Sequence, residues 1–226
     1  MPKLRWIWCA LFAAMCAAAV PSHAQTPKPA EVAPGVSLPA GGDATVLVLD
    51  QSASGPVLVH VKPHEVVSDA HAATNFLRAQ IYSGPHRSFD VEGPHADTVV
   101  SSTKAVLFVR ISGEDSEIMR ARVHLIWLET SKKRREITDF SSNIFGGQRA
   151  RNMDEVPCDT EMVEGTSWLK VTPKDPLLPG EFAIAFLPKD VTQQPDIVYD
   201  FSVPGDKGGS HPYASGAPPA APAKKP

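Results

Sequence analysis

Cysteine is scarce in this sequence of 226 residues, which contains only three. Cys9 and Cys16 lie in an N-terminal segment that we expect to be removed, so Cys158 alone remains in the mature chain. An intramolecular disulfide is therefore excluded. We expect Cys158 to be a half-buried thiol, and the less favoured alternative is an intermolecular bridge or a reactive thiol.

The sequence also lacks an apolar run long enough to cross a membrane. Residues 6–20 are mostly apolar and follow Lys3 and Arg5, but the run is shorter than the ~20 residues of a spanning helix. This pattern predicts a signal peptide over residues 1–24, cleaved after Ala24, and a periplasmic or secreted protein that does not span the membrane. A lipoprotein anchored through Cys16 is less favoured, because a small residue should precede a lipidated cysteine.

A net positive charge is absent as well. Loss of two basic residues with the signal takes the formal net charge from −3 to −5. A mildly acidic surface disfavours non-specific binding of nucleic acid, which depends on concentrated positive charge. We therefore expect no nucleic-acid partner.

Local catalytic motifs are missing. No P-loop and no G-x-G-x-x-G pattern occurs, and "EGTSWLK" carries Leu169 where a G-x-S-x-G motif needs its second glycine. "HEVVS" begins like a zinc-protease motif but has Ser68 in place of the second histidine. We expect no cofactor and no catalysis, although a triad assembled from distant positions would leave no local motif.

Composition divides the mature chain into three parts. Residues 25–42 are rich in proline, and residues 206–226 are rich in proline, alanine and lysine. Both segments are predicted to be flexible, because they have too little apolar surface to offset the entropy of ordering them. Residues 43–205 have the length of one domain with its own core.

The core segment alternates apolar and polar residues over short stretches, which predicts strands. The predicted strands cover residues 45–50, 56–63, 104–112, 121–130, 135–140, 167–173, 181–188 and 197–203. Their number and spacing predict an all-β fold, an antiparallel β-sandwich of immunoglobulin-like or related topology with at most one short helix. Residues 68–82 are the candidate helix, with Ser68 as its N-cap, and an extended connection is equally compatible with them.

The stretch "PLLPGEFAIAFLP" predicts a structural corner. Pro179 and Gly180 are expected to form a type II turn in which Gly180 has positive φ. The strand that follows should turn its large side chains to one face and Ala183 and Ala185 to the other, and the corner should join strands of opposite sheets. The residues assigned to this scaffold are Trp168, Pro179, Gly180, Phe182, Ile184, Phe186, Tyr199 and Phe201.

"LKVTPKDPLLPGEFAIAFLP" followed by "VYDFSV" resembles the C-terminal part of an uncharacterised group of exported bacterial proteins. That group has an L-x-PGEY-x-L corner and a terminal W/Y-D-F-x-V strand, and the likeness covers most of residues 55–203. The resemblance implies export and a structural role for the motifs, but no activity. The corner more distantly resembles that of immunoglobulin-like and fibronectin-like sandwiches, where Phe182 replaces the usual tyrosine.

Histidines are concentrated in one part of the chain, at His60, His64, His71, His86 and His95. A metal site would use His60, His64 and Glu65 as candidate ligands. We favour ordinary surface and turn histidines, because few carboxylates are near enough in sequence to orient the rings.

The densest charge is "KKRR", formed by Lys132, Lys133, Arg134 and Arg135 between two predicted strands. This arrangement predicts a hairpin tip. The four cations are candidates for binding an anionic envelope component, and the favoured alternative is a solvated tip that discourages edge-to-edge pairing.

These observations predict an exported, non-catalytic envelope or extracellular interaction module, whose partner is an envelope component or another exported protein. The alternative is a secreted hydrolase or metal-binding protein that uses the region from His60 to His95. A pocket that gathers two or more histidines with a carboxylate would favour the alternative.

Overall fold

A computed structural model describes residues 29–41, 45–52, 54–69, 86–111, 116–141, 150–190 and 193–205. Over these residues the chain forms antiparallel sheets and one short helix, α1 (Ser116–Arg120), which confirms the all-β prediction. The predicted signal peptide and the tail 206–226 lie outside the described residues. In the described part of the chain, no helix has the length and apolar character needed to cross a membrane.

In chain order the strands are β1 (Glu31–Ala33), β2 (Val36–Ser37), β3 (Val46–Ser52), β4 (Gly55–His60), β5 (Pro63–Glu65), β6 (Val67–Asp69), β7 (His86–Glu92), β8 (Val106–Arg110), β9 (Val123–Thr130), β10 (Arg134–Ser141), β11 (Ala150–Asn152), β12 (Asp154–Glu155), β13 (Cys158–Met162), β14 (Trp168–Pro173), β15 (Gly180–Phe186) and β16 (Ile197–Val203).

Two sheets form the body of the domain. The first, the open sheet, has the strand order β13-β14-β8-β3-β4. The second has the order β5-β16-β15-β9-β10-β7-β6, with β11 on β10 and β12 on β9. A small hairpin of β1 and β2, the N-terminal hairpin, forms a separate two-stranded sheet that does not pair with the strands of either.

The second sheet closes on itself in a barrel-like ring, and we call it the closed sheet. Its two ends, β5 and β6, are separated only by Val66, whose N–H donates to Asp196 O at 3.0 Å. One chain segment therefore pairs with β16 on one side and with β7 on the other. The inner face of the ring becomes a second interior, distinct from the space between the two sheets.

The main core lies between the two sheets. Phe182, Ile184 and Phe201 of the closed sheet pack there against open-sheet residues such as Val48 and Leu107. The rings of Phe182 and Phe201 are stacked with centroids 5.6 Å apart. Half-buried Phe186 and Tyr199 pack against the same core.

A second core fills the closed sheet. It is formed by side chains that point to the opposite face of the closed sheet, and its buried members are Val91, Ile126, Leu128, Ile137, Ala183, Ala185, Leu187 and Val198. The two alanines keep the wall formed by β15 thin. The sequence-based placement of Ala183 and Ala185 opposite the large side chains is confirmed, and the corner joins β14 of the open sheet to β15 of the closed sheet.

The predicted conformation of Gly180 is wrong. Gly180 is the first residue of β15 and is not among the glycines with positive φ. A Cβ atom at this position would lie 2.6 Å from Trp127 Nε1, so glycine is required because the indole passes close to the backbone.

The N-terminal hairpin corrects the prediction that residues 25–42 are flexible. Residues 29–41 pack on the outer face of the open sheet, where Leu38 is only 1% exposed. Trp168 lies on this outer face, donates from Nε1 to Pro39 O at 3.2 Å, and has the Arg110 guanidinium 4.6 Å above its ring. The domain thus begins no later than residue 29, and residues 25–28 and 42 lie outside the described part.

The candidate helix over residues 68–82 is not formed at its start. Ser68 belongs to β6 and pairs with Phe89 of β7, so it is not an N-cap. Residues 70–82 lie outside the described residues.

Candidate functional site

The basic hairpin tip exists, but its four cations are not equivalent. β9 and β10 pair around it, and Lys132 and Lys133 are exposed at the turn. Arg134 is half-buried and forms an ion pair with Asp90, with Nη1 at 3.3 Å from Oδ2. Arg135 is 1% exposed and points into the closed sheet. Arg135 therefore belongs neither to the favoured solvated tip nor to the alternative binding patch, since of the four cations only the two lysines are fully exposed at the surface.

Arg135 forms a buried ion pair with Asp200. Arg135 Nη2 lies 2.6 Å from Asp200 Oδ2, in a geometry that is not that of a linear hydrogen bond, and it donates to Glu92 O at 3.2 Å. β10 and β16 are separated by β9 and β15 in the sheet order, so this contact depends on closure of the sheet. Among the described residues, Arg135 Nε and Nη1 have no hydrogen-bond partner.

His64 extends this pair to the surface. Its Nδ1 contacts Asp200 Oδ1, and its Nε2 lies 4.0 Å from Asp97 Oδ2. Lys62 Nζ lies 3.9 Å from the same Asp97 oxygen. Because an ionised carboxylate only accepts hydrogen bonds, Asp200 requires the proton on Nδ1 and leaves Nε2 facing outwards, the arrangement found in general bases and in metal-ligating histidines.

A second histidine is held by a buried carboxylate in the same manner. His95 Nδ1 lies 2.9 Å from Glu181 Oε1, and Glu181 Oε2 accepts from the Ala96 N–H at 2.9 Å. Glu181 is buried and lies diagonally across from Asp200, since Asp200 pairs with Ala183, two residues further along β15. The closed sheet thus uses two buried carboxylates to orient two partly exposed imidazoles.

The candidate metal ligands are not brought together. His60 is exposed on β4 in the open sheet, whereas His64 and Glu65 lie on β5 in the closed sheet. Within the described ranges, no group of three histidine, cysteine or carboxylate side chains is arranged to hold a metal ion. His71 and the side chain of His86 lie outside the description.

A cavity of about 530 Å³ opens at the end of the closed sheet where β9 begins and β15 ends, and we call it the α1 cavity. Its lining residues are Glu117, Ile118, Ala121, Arg122, His124, Met153, Leu187, Pro188 and Lys189. Leu187 and Met153 also belong to the closed-sheet core, so the apolar floor of the cavity continues into that interior. The rest of the lining is partly apolar and partly charged, and its charged side chains include Glu117, Arg122 and Lys189.

The histidine at this cavity is paired with an acid. His124 Nδ1 lies 2.7 Å from Glu155 Oε1. The hydrogen bond and the charge of His124 lower the pKa of the Glu155 carboxyl, against the opposing effect of partial burial. His124 is thus oriented by a carboxylate of β12 that pairs alongside its own strand.

Cys158 has the properties expected of an unreactive thiol. It is half-buried, and its Sγ lies 3.3 Å from Val156 O. Burial, reinforced by the charges of Glu155 and Asp159, raises its pKa to about 12. A thiol with this pKa stays protonated near neutral pH, and the thiolate is the nucleophilic form.

A second cavity, of about 400 Å³, lies between the N-terminal hairpin and the turn before β14. Leu38, Pro39 and Trp168 line it together with Gly165 and its neighbours. Neither this cavity nor the α1 cavity gathers two histidines, which was the feature expected of the hydrolase or metal-binding alternative.

Sequence reasoning missed the α1 cavity altogether. Its lining comes from three separate stretches of chain, and α1, with five residues, is too short to produce a recognisable helical period. The only local signal is "EIMRAR", which sets Ile118 and Met119 beside Arg120 and Arg122. Comparison with protein-family models, with curated proteins and with solved structures finds no match.

Proposed function

We propose that this protein is an exported, non-catalytic binding module and that it holds an apolar ligand in the α1 cavity. The observation that carries the proposal is the apolar floor formed by Ile118, Met153 and Leu187 in a cavity of about 530 Å³. Small-molecule sites in proteins typically have volumes of roughly 300–1,000 Å³ and largely apolar linings.

Export and the identity of the partner belong to the same proposal. The N-terminal signal pattern and the resemblance to exported bacterial proteins support a periplasmic or secreted location. The ligand is then an apolar molecule, or the apolar part of an envelope component or of another exported protein. The immunoglobulin-like character of the sandwich is likewise proposed, on the basis of the corner before β15.

The test is binding of the neutral apolar fluorophore N-phenyl-1-naphthylamine. We expect saturable binding to the wild type and about fivefold weaker binding to Ile118→Gln, because an apolar contact worth about 1 kcal/mol is lost. Ile197→Gln is the matched control, since Ile197 is similarly exposed but does not line the cavity. Ala121→Trp should block the site, because Ala121 is an exposed lining residue.

The proposal fails if the fluorophore does not bind saturably. It also fails if Ile118→Gln and Ile197→Gln weaken binding equally, because the bound probe would then lie elsewhere.

A second candidate function is a hydrolase centred on His64. The observation in its favour is that buried Asp200 orients the ring and leaves Nε2 at the surface, as in a general base. Among the described residues, however, the contacts of His64 are with Asp200 and Asp97, and neither is an alcohol or thiol nucleophile. Hydrolysis of p-nitrophenyl acetate that is lost in His64→Gln and retained in His60→Gln would support this candidate.

A further inference from the structure

Two cations line the α1 cavity without a carboxylate partner. Among the described residues, neither Arg122 nor Lys189 forms an ion pair, whereas both contribute to the lining. Lys189 is exposed and Arg122 is half-buried. A ligand that enters the cavity therefore meets positive charge beside the apolar floor.

The other charged lining residues have partners of their own. Glu117 Oε1 lies 3.9 Å from Arg120 Nη1, and His124 is paired with Glu155. The Glu117 pair is exposed and contributes little energy, but it offsets the only carboxylate among the described lining residues. Within that described lining, the charges without an ion-pair partner are those of Arg122 and Lys189, and both are positive.

Arg122 is fixed in place before any ligand binds. Its Nε donates to Leu187 O at 2.8 Å, and the Leu187 N–H donates to Arg122 O at 2.8 Å. Nη1 makes only a long contact of 3.9 Å with Met119 Sδ. A guanidinium has five N–H donors, so the Nη2 donors remain for a ligand, and a side chain that is already ordered costs less entropy on binding.

We infer that the ligand of the α1 cavity is an anionic amphiphile, an alkyl chain that bears a carboxylate or phosphate headgroup. The chain lies on the floor of Ile118, Met153 and Leu187, and the headgroup is bound by Arg122 and Lys189. Guanidinium groups bind both carboxylates and phosphates through paired N–H donors. This inference rests on the proposed function, because it assumes that the cavity binds a ligand.

The test is displacement of N-phenyl-1-naphthylamine by four ligands with the same alkyl chain: laurate, dodecyl phosphate, dodecanol and dodecyltrimethylammonium. We expect at least one of the two anions to bind about tenfold more tightly than dodecanol, and the cation to bind most weakly. The comparison of laurate with dodecyl phosphate identifies the headgroup. Added salt should weaken the anions and leave dodecanol unchanged.

Charge-removing variants test the assigned residues. Lys189→Gln should weaken binding of the preferred anion about threefold, and Lys104→Gln, an exposed lysine outside the cavity, should have no effect. Arg122→Gln should weaken anion binding about tenfold while dodecanol binding is retained. Lys189→Gln decides the matter if Arg122→Gln does not fold.

The outcomes separate the two proposals. Equal affinity for dodecanol and both anions, or tighter binding of the cation, overturns the inference and leaves the proposed apolar site intact. Failure of dodecanol and of both anions to displace the fluorophore overturns the proposed function, and the inference with it.

Discussion

Replacement of Gly180 by alanine tests why glycine begins β15. The new Cβ would lie 2.6 Å from Trp127 Nε1, 3.4 Å from Cδ1 and 3.6 Å from Cε2. The first distance is well below van der Waals contact. Trp127 is partly buried and packs against the main core, so displacement of its indole would disturb that packing. The strand or the ring must therefore shift when alanine is introduced.

Two opposing terms set the magnitude. Overpacking of a well-packed site typically costs about 1–3 kcal/mol. Alanine in place of glycine, at a φ that alanine can adopt, stabilises by about 0.4–1 kcal/mol because it restricts the unfolded chain. We therefore expect Gly180→Ala to lower the free energy of unfolding by about 1–2 kcal/mol.

The assay is urea denaturation in a double-mutant cycle with Trp127→Phe, which removes the Nε1 atom. In the Trp127→Phe background, the cost of Gly180→Ala should fall close to zero, and the cycle subtracts any other effect of losing the indole. A positive φ at Gly180 would instead make alanine costly in both backgrounds. An equal cost in the two backgrounds would refute the close-approach explanation.

Three further predictions follow from buried groups. Phe182→Ala should lower the free energy of unfolding by about 3–5 kcal/mol, because the ring is fully buried between the sheets, and an unchanged melting temperature would contradict this placement. Arg135→Met should lower the free energy of unfolding, measured by urea denaturation, by about 3 kcal/mol, because Asp200 is left as an unpaired buried charge. The double variant Arg135→Met with Asp200→Leu should lose much less stability, and comparable losses in the two variants would argue against a buried pair. Cys158 should resist iodoacetamide at pH 8 in the native protein and react fully in urea, and rapid native labelling would contradict its raised pKa.

The strands were predictable because their signal is local. Alternation of large and small side chains in "EFAIAF" placed Phe182 and Ile184 on one face and Ala183 and Ala185 on the other, as found. A strand that is buried on both faces still alternates in sequence when one face carries large side chains and the other carries small ones. In β15 the small side chains face the interior of the closed sheet, and the sequence pattern did not reveal that this interior exists.

The N-terminal hairpin was not predictable from its composition. Residues 25–42 contain few large apolar residues, so on their own they cannot offset the entropy of ordering. The outer face of the open sheet provides the missing apolar surface, with Leu47, Leu49 and Phe108 next to Leu38. A segment of poor composition is thus ordered by a surface that also includes residues distant in sequence, Phe108 and Trp168.

The burial of Arg135 was also not predictable, because it too depends on contacts with residues that are distant in sequence. Four consecutive cations at a turn are expected to be solvated, and Lys132 and Lys133 are exposed as that expectation requires. The burial of Arg135 follows from β10 curving round until its inner face meets β16, which brings Asp200 within 2.6 Å. Arg135 and Asp200 are 65 positions apart, and their contact depends on how the sheet closes, so no local sequence pattern predicts it.

The buried pair also bears on why the sheet closes in one register. Taking Arg135 and Asp200 out of water is costly, and their attraction offsets much of that cost only when both are buried together. A closure shifted by one residue would turn one of them to the opposite face and leave the other as an uncompensated buried charge. We therefore expect the pair to add little net stability to the native closure and to act mainly by disfavouring the shifted closures. His64, which lies on β5, contacts Asp200 and so links this end strand of the closed sheet to the same pair.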